Sequence, residues 1–123
     1  MIIVDTSIWI DHFHHPDPTL SNLLEGLRHR VHPYVVGEIG LSSLRDRART
    51  LEAFQDMPQA EVALHEEVLR MIADQGLHGR GIGYVDAHLL ASAMLMPGAK
   101  VWTRDKRLAA VADRLGLAFE ALH

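Results

Sequence analysis

The sequence predicts an α/β domain with a mainly parallel central sheet flanked by helices. Three observations lead there. Short apolar segments, residues 2–4 and 100–103, alternate with segments whose apolar residues recur at helical spacing. Proline and glycine stand at the joins between them. The 123 residues, 48% hydrophobic and 23% charged, have the size and composition of one ordinary globular domain. Residues 1–123 therefore read as a single domain, and alternating strands and helices make parallel pairing the expected sheet.

Ile2-Ile3-Val4 reads as a short buried strand, and Asp5-Thr6-Ser7 supplies capping side chains for a helix that begins with Ile8-Trp9-Ile10. Asp17-Pro18 reads as the N-cap and first residue of a second helix, with Leu20, Leu23, Leu24 and Leu27 on its buried face. An irregular or edge strand is expected over 31–35, because Pro33 has no N–H to give a ladder. Helices follow over 36–44 and 46–55, the second ended by Met57-Pro58. A brief strand over 60–64 precedes a helix over 65–75, and Gly76, Gly79, Gly81 and Gly83 then mark a loop. Residues 84–96 are apolar on nearly every side, as in a buried central helix. Pro97-Gly98 turns the chain into the strand over 100–103; a last helix over 106–115 stops at Gly116, and 117–120 completes the sheet.

Composition sets the broad class. The chain has no cysteine, so disulfides and thiolate metal sites are excluded. No apolar run approaches the roughly 20 residues that span a bilayer. The N-terminus lacks the basic and apolar regions of a signal peptide, so a cytoplasmic, membrane-free protein is expected. A net charge of −4 argues against coating nucleic acid by charge alone, though not against a nuclease whose carboxylates hold cations.

Four acids stand out by position. Asp5 and Asp105 follow strands, so in a parallel sheet they lie at its carboxyl edge, where open α/β sheets bind ligands. Glu38 and Asp86 lie near helix N-termini, which start at the same edge. Singly, each has an ordinary role, as an N-cap, a first-turn acid on the helix dipole or an exposed glutamate. Together they make a self-repelling cluster that divalent cations would neutralise. An all-oxygen donor set suits Mg²⁺ or Mn²⁺, which serve phosphodiester hydrolysis. Thr6, Ser7 and Thr103 are placed to orient the carboxylates or, equally, to shape turns.

The segments IIVDTSIWI with Asp5, GEI with Glu38, GYVDAHLLASA with Asp86 and VWTRDKRL with Asp105 resemble the PIN domain in their order and spacing. More narrowly, the chain resembles the VapC toxins of bacterial VapBC toxin–antitoxin pairs over essentially its whole length. The resemblance implies an endoribonuclease that hydrolyses RNA with metal-activated water. It further implies metal ligation by Asp5, Asp86 and Asp105, with Glu38 acting directly or through water. A homodimer restrained by a small antitoxin that occludes the cleft is also implied.

Other features read more plainly. Among nine histidines, His12, His14 and His15 cluster without the spacing of a helical metal pair and read as a surface patch. His88 and Trp102 read as packed, and Trp9 as a packing or partner surface. The stretch holding Arg45, Arg47 and Arg49 reads as a solvated helix face, whereas Arg80 and Arg104 are the better phosphate contacts. The alternatives are a receiver-like signalling module with an acidic pocket and a PIN-type domain that only binds. A receiver needs paired N-terminal acids, a dehalogenase-like phosphatase needs an aspartate where Ser7 stands, and the complete acid set speaks against a mere scaffold.

Overall fold

The computed structural model describes residues 1–121. Ile2–Val4 forms strand β1, every residue of it buried. The chain continues through helices α1 (Thr6–His14) and α2 (Pro18–Glu25), strand β2 (His29–Arg30) and helices α3 (Pro33–Gly40), α4 (Arg47–Gln55), α5 (His65–Asp74) and α6 (Tyr84–Leu95). Strand β3 (Lys100–Trp102) and helix α7 (Lys106–Arg114) follow. β1 lies at the centre and pairs in parallel with both neighbours: Ile2 faces His29 and Lys100, and Ile3 faces Arg30 and Val101. Parallel bridges from Val31 to Gln59 and from Val101 to Ala118 extend the pattern on either side. The sheet is thus parallel and helix-flanked, as the alternation of segments predicts.

Local chemistry explains most boundaries. Asp17 accepts from the N–H groups of Thr19 and Leu20, and Pro18 opens α2 with a pre-set φ and no stranded donor. Gly116, at φ 73°, ends the turn after α7. The expected buried face of α2 is shorter than its leucine spacing suggests: Leu20 and Leu23 are buried, but Leu27 lies past the helix, exposed, at φ 53°.

The expected strand over 31–35 is corrected. Pro33 is the first residue of α3, and the His32 ring nitrogen Nδ1 accepts from the Tyr34 N–H at 3.1 Å as the cap. The proline that weakens a strand there suits a helix start, and its capping partner is a histidine, outside the usual capping residues. The strand expected over 117–120 shrinks to the bridging residue Ala118, and none of residues 60–64 is strand: the bridge to Val31 falls on Gln59. Ala60 donates to the Val31 carbonyl while Val31 donates to the Pro58 carbonyl, and Pro58 and Pro33, which have no N–H, stop the pairing on either side.

The core lies where the helices meet the sheet. Ile3, Val4, Ile8, Leu20, Ile39, Leu89, Leu90 and Leu108 have no exposed surface. Burial of each such side chain contributes about 1.5–3 kcal/mol. Trp9 belongs to this core, packed edge-on against Phe54 with ring centroids 4.9 Å apart, and Trp102 is buried against Phe119. Helix α6 is buried from Ala87 to Ala93, while Tyr84, Met94 and Leu95 reach the surface at its ends. Among the described residues no helix is long and apolar enough to cross a membrane.

Candidate active site at the carboxyl edge of the sheet

Asp5 leaves β1 at its carboxyl end and caps α1. Its Oδ1 accepts from the Thr6 N–H at 2.7 Å and its Oδ2 from the Thr103 hydroxyl at 2.6 Å, in a nearly closed environment. Burial raises its pKa, the bonds from Thr103 and Thr6 lower it in part, and the charges of Glu38 and Asp105 raise it again.

The same two threonines reach two more acids. The Thr6 hydroxyl donates to Glu38 Oε1 at 2.6 Å, holding an exposed side chain beside the end of β1; Glu38, expected near a helix N-terminus, stands in the last turn of α3, because that helix already starts at Pro33. Thr103 accepts from the Asp105 N–H at 3.0 Å while it donates to Asp5. Asp105 caps α7, taking the N–H groups of Arg107 and Leu108 on one oxygen. Ser7, expected to help in this way, instead has a buried hydroxyl oxygen without a hydrogen-bond partner among the described residues.

Asp86 sits in the first turn of α6 and reaches back to the N–H of Gly83 at 3.0 Å, which fixes the helix start and the carboxylate together. Burial raises its pKa most, and the charges of Asp5 and Asp105 add to the rise. All four acids thus lie at the carboxyl edge, coupled by hydroxyls or by mutual repulsion. They do not close on one point: among the described residues no three His, Asp or Glu side chains stand close enough to grip a metal ion. Asp5, Asp86 and Asp105 are held as acceptors at helix starts, and Glu38 by the Thr6 hydroxyl.

The donor set nevertheless fits a hard divalent cation. All its ligand atoms are carboxylate oxygens. Among the described residues none of the four acids has an ion-pair partner, the two salt bridges both joining Arg104 to Asp11 and Asp17. Those bridges, at 2.6 and 3.6 Å, also correct the expectation for Arg104, whose charge is spent on α1 and on the cap of α2. Arg80 gives only its Nε–H, to the Gly76 carbonyl at 3.2 Å, and remains exposed.

His12 holds the turn after α1 through Nδ1, which accepts from the Asp17 N–H at 2.8 Å. An aromatic cluster behind the site was not visible in the motifs. His88, buried, meets the Tyr84 hydroxyl at 3.0 Å, His65 meets that hydroxyl from α5, and the rings of Tyr34 and His32 pack against His88. Its one sequence signal is the four-residue spacing of Tyr84 and His88 on one helix face.

The PIN domain profile matches residues 2–114. The chain is 44% identical, over 118 residues, to two proteins named Ribonuclease VapC32, from Mycobacterium tuberculosis strains CDC 1551 / Oshkosh and ATCC 25618 / H37Rv. Each alignment covers 96% of this chain and 95% of the relative.

Proposed function

Because the chain belongs to the PIN domain family, we propose that it is a metal-dependent endoribonuclease and the toxin of a bacterial type II toxin–antitoxin pair. The observation that carries the reading is the set of four acids at the sheet edge, three of them joined through Thr6 and Thr103 and none with an ion-pair partner among the described residues. Such a set is unfavourable by itself and becomes favourable around cations.

Asp5, Asp86 and Asp105 would hold Mg²⁺ or Mn²⁺. When bound, the cation supplies Lewis acidity to the phosphate and lowers the pKa of water. Thr103 keeps Asp5 turned toward the edge. Glu38, exposed and braced by Thr6, orients the attacking water and accepts its proton. As the water oxygen bonds to phosphorus, the in-line P–O bond of the RNA phosphodiester breaks, and the leaving oxygen takes up a proton from solvent. A small antitoxin that covers the acidic edge, a homodimeric toxin and a cytoplasmic setting complete the proposal; the name VapC32 carried by the relatives supports the toxin role.

The test is cleavage of cellular RNA by purified protein with Mg²⁺, with chelator, and in Asp5→Asn. The carboxamide keeps size and an acceptor but loses the charge, so the rate should fall about 10²–10⁴-fold, the usual range for a group serving the reacting centre. Wild-type rates in Asp5→Asn would overturn the reading.

A further inference from the structure

Beside the acidic edge lies a concavity of about 310 Å³ lined by Arg80, Lys106, Arg107, Ala110, Val111 and Arg114. Four of its six lining residues are cations, in a chain whose net charge is −4. All four are exposed. Among the described residues none has a carboxylate within ion-pair distance, since the two salt bridges belong to Arg104. Asp105 directly precedes Lys106 and Arg107, yet its carboxylate caps the backbone of α7 and pairs with neither side chain.

The cations are also held in place. Arg114 donates to the Gln75 carbonyl at 2.6 Å and Arg80 to the Gly76 carbonyl at 3.2 Å, so both ends of the cavity are tied to the start of the glycine loop. Arg107 lies over Gly81, where a Cβ would stand 2.7 Å from Arg107 Cδ. Gly81, at φ 78°, therefore serves both the turn and the close approach of the guanidinium. Arg80 and Arg114 each spend part of the guanidinium fork on the loop, and all three arginines keep further N–H groups for an anion.

The place of the cavity points to its ligand. Lys106 and Arg107 directly follow Asp105, and Arg80 and Gly81 lead into Gly83, whose N–H holds Asp86. From Lys106 to Arg114 the helix advances about 12 Å, at about 1.5 Å per residue. A nucleic-acid strand carries one phosphate charge per nucleotide, so a row of this length can meet more than one phosphate and is too long for one small anion. The apolar floor of Ala110 and Val111 lets a chain lie along α7 without stranding polar groups.

We propose that Arg80, Lys106, Arg107 and Arg114 form an RNA-backbone track that receives the phosphates flanking the scissile bond and lays the strand across the acidic edge. This rests on the ribonuclease reading and adds to it a binding subsite outside the four acids. Its cations position substrate and do not touch the reacting atoms.

The test uses the full chain. Fluorescein-labelled single-stranded RNA is titrated by anisotropy across a salt series on the Asp5→Asn background, which leaves RNA intact. Lys106→Gln, the double variant Lys106→Gln/Arg107→Gln and the control Arg49→Gln on α4 are compared, each with a circular dichroism melt. Lys106→Gln guards against a folding defect, because it leaves the Arg107–Gly81 contact in place. Each lost phosphate contact should lower the slope of log affinity against log salt by about 0.7, so the double variant should lose about 1.4. With Asp5 restored, KM should rise severalfold in the double variant with kcat little changed, and Arg49→Gln should match wild type.

An unchanged salt slope and KM in a folded double variant, with wild-type cleavage intact, overturns the track and leaves the ribonuclease reading standing. Absent cleavage by wild type overturns the ribonuclease reading, while the anisotropy slopes still decide the track. Polyglutamate binding that falls in the variants while RNA binding does not would assign the cavity to an acidic protein partner and overturn it as well.

Discussion

Thr103 serves two acids with one hydroxyl, donating to Asp5 Oδ2 and accepting from the Asp105 N–H. A hydroxyl can do both, and no apolar side chain can do either. Thr103→Val keeps the shape, leaves the Asp105 N–H without its acceptor and frees Asp5 to rotate. Loss of such a supporting contact should lower divalent-cation affinity and cleavage about 10–100-fold, with partial rescue at high Mn²⁺. Isothermal titration with Mn²⁺ and the cleavage assay check this together; unchanged affinity would mean that Asp5 is held by the Thr6 N–H alone. Asp5→Asn should behave differently in one respect. The Asp5 carboxyl carries a raised pKa because burial and the charges of Glu38 and Asp105 disfavour its ionised form. Removing the charge should leave the metal-free melting temperature unchanged or higher while cleavage is lost. A large fall in melting temperature would show that Asp5 holds the fold rather than the site. These residues were legible because strand-end acids and neighbouring hydroxyls are close in sequence; the coupling of Thr6 to Glu38, 32 residues apart, needed the fold.

At the scale of elements, the junction of α3 with α6 sets a pH dependence. His32 is fully buried, caps α3 through Nδ1 and packs against Tyr34 of its own helix and His88 of α6. Burial, reinforced by the charge of His88, lowers its pKa from 6.5 to about 4. The unfolded chain therefore binds this proton more readily than the folded one. Stability is full above the unfolded value and declines as pH falls from about 6.5 to about 4, below which this group adds no further slope. The loss should be about 1.4 kcal/mol at about pH 5.5 and up to about 3 kcal/mol below the folded value. Urea melts at about pH 7.5 and about pH 5.5 measure it, and His32→Asn, which keeps a capping acceptor, should be weaker at neutral pH but flatter between the two. An equal pH slope in that variant would place the titration elsewhere. This junction also marks where the sequence ceased to be legible. Helical periodicity located α2, α4, α5 and α7, and a run of apolar residues located α6, since those patterns come from burial along a single element. The start of α3 at Pro33 was read as a strand because its cap is a histidine whose ring is positioned by α6, a long-range fact. Apolar content alone does not say where a neighbour pairs: it predicts strands over 60–64 and 117–120, whereas the bridges fall on Gln59 and Ala118 alone.

For the whole molecule, the sheet separates what holds the fold from what serves the chemistry. Most fully buried side chains, among them Ile3, Ile8, Ile39, Leu89, Leu90 and Leu108, are apolar and belong to the strands and the helices packed on them. Glu38, in the last turn of α3, and Asp105 are by contrast exposed, and Asp86 is half-buried. Each acid is moreover bonded to the protein's own N–H or hydroxyl groups, so its local conformation does not wait for a metal. The cost of the arrangement is electrostatic: four like charges without ion-pair partners among the described residues. A cation relieves that repulsion and should raise the melting temperature modestly, in proportion to its affinity and concentration. Magnesium keeps much of its hydration shell and binds few protein carboxylates without substrate phosphates, so affinity for Mg²⁺ alone should be weak and should increase with RNA present. Mn²⁺ should bind more tightly than Mg²⁺ by the affinity order of divalent ions. Chelator should accordingly abolish cleavage while the circular dichroism melt stays cooperative within a few degrees of the untreated protein, and added Mn²⁺ should restore cleavage. If chelation unfolds the domain, the cation is a structural one held elsewhere; if cleavage survives chelation, the four acids work without metal and their repulsion needs another explanation.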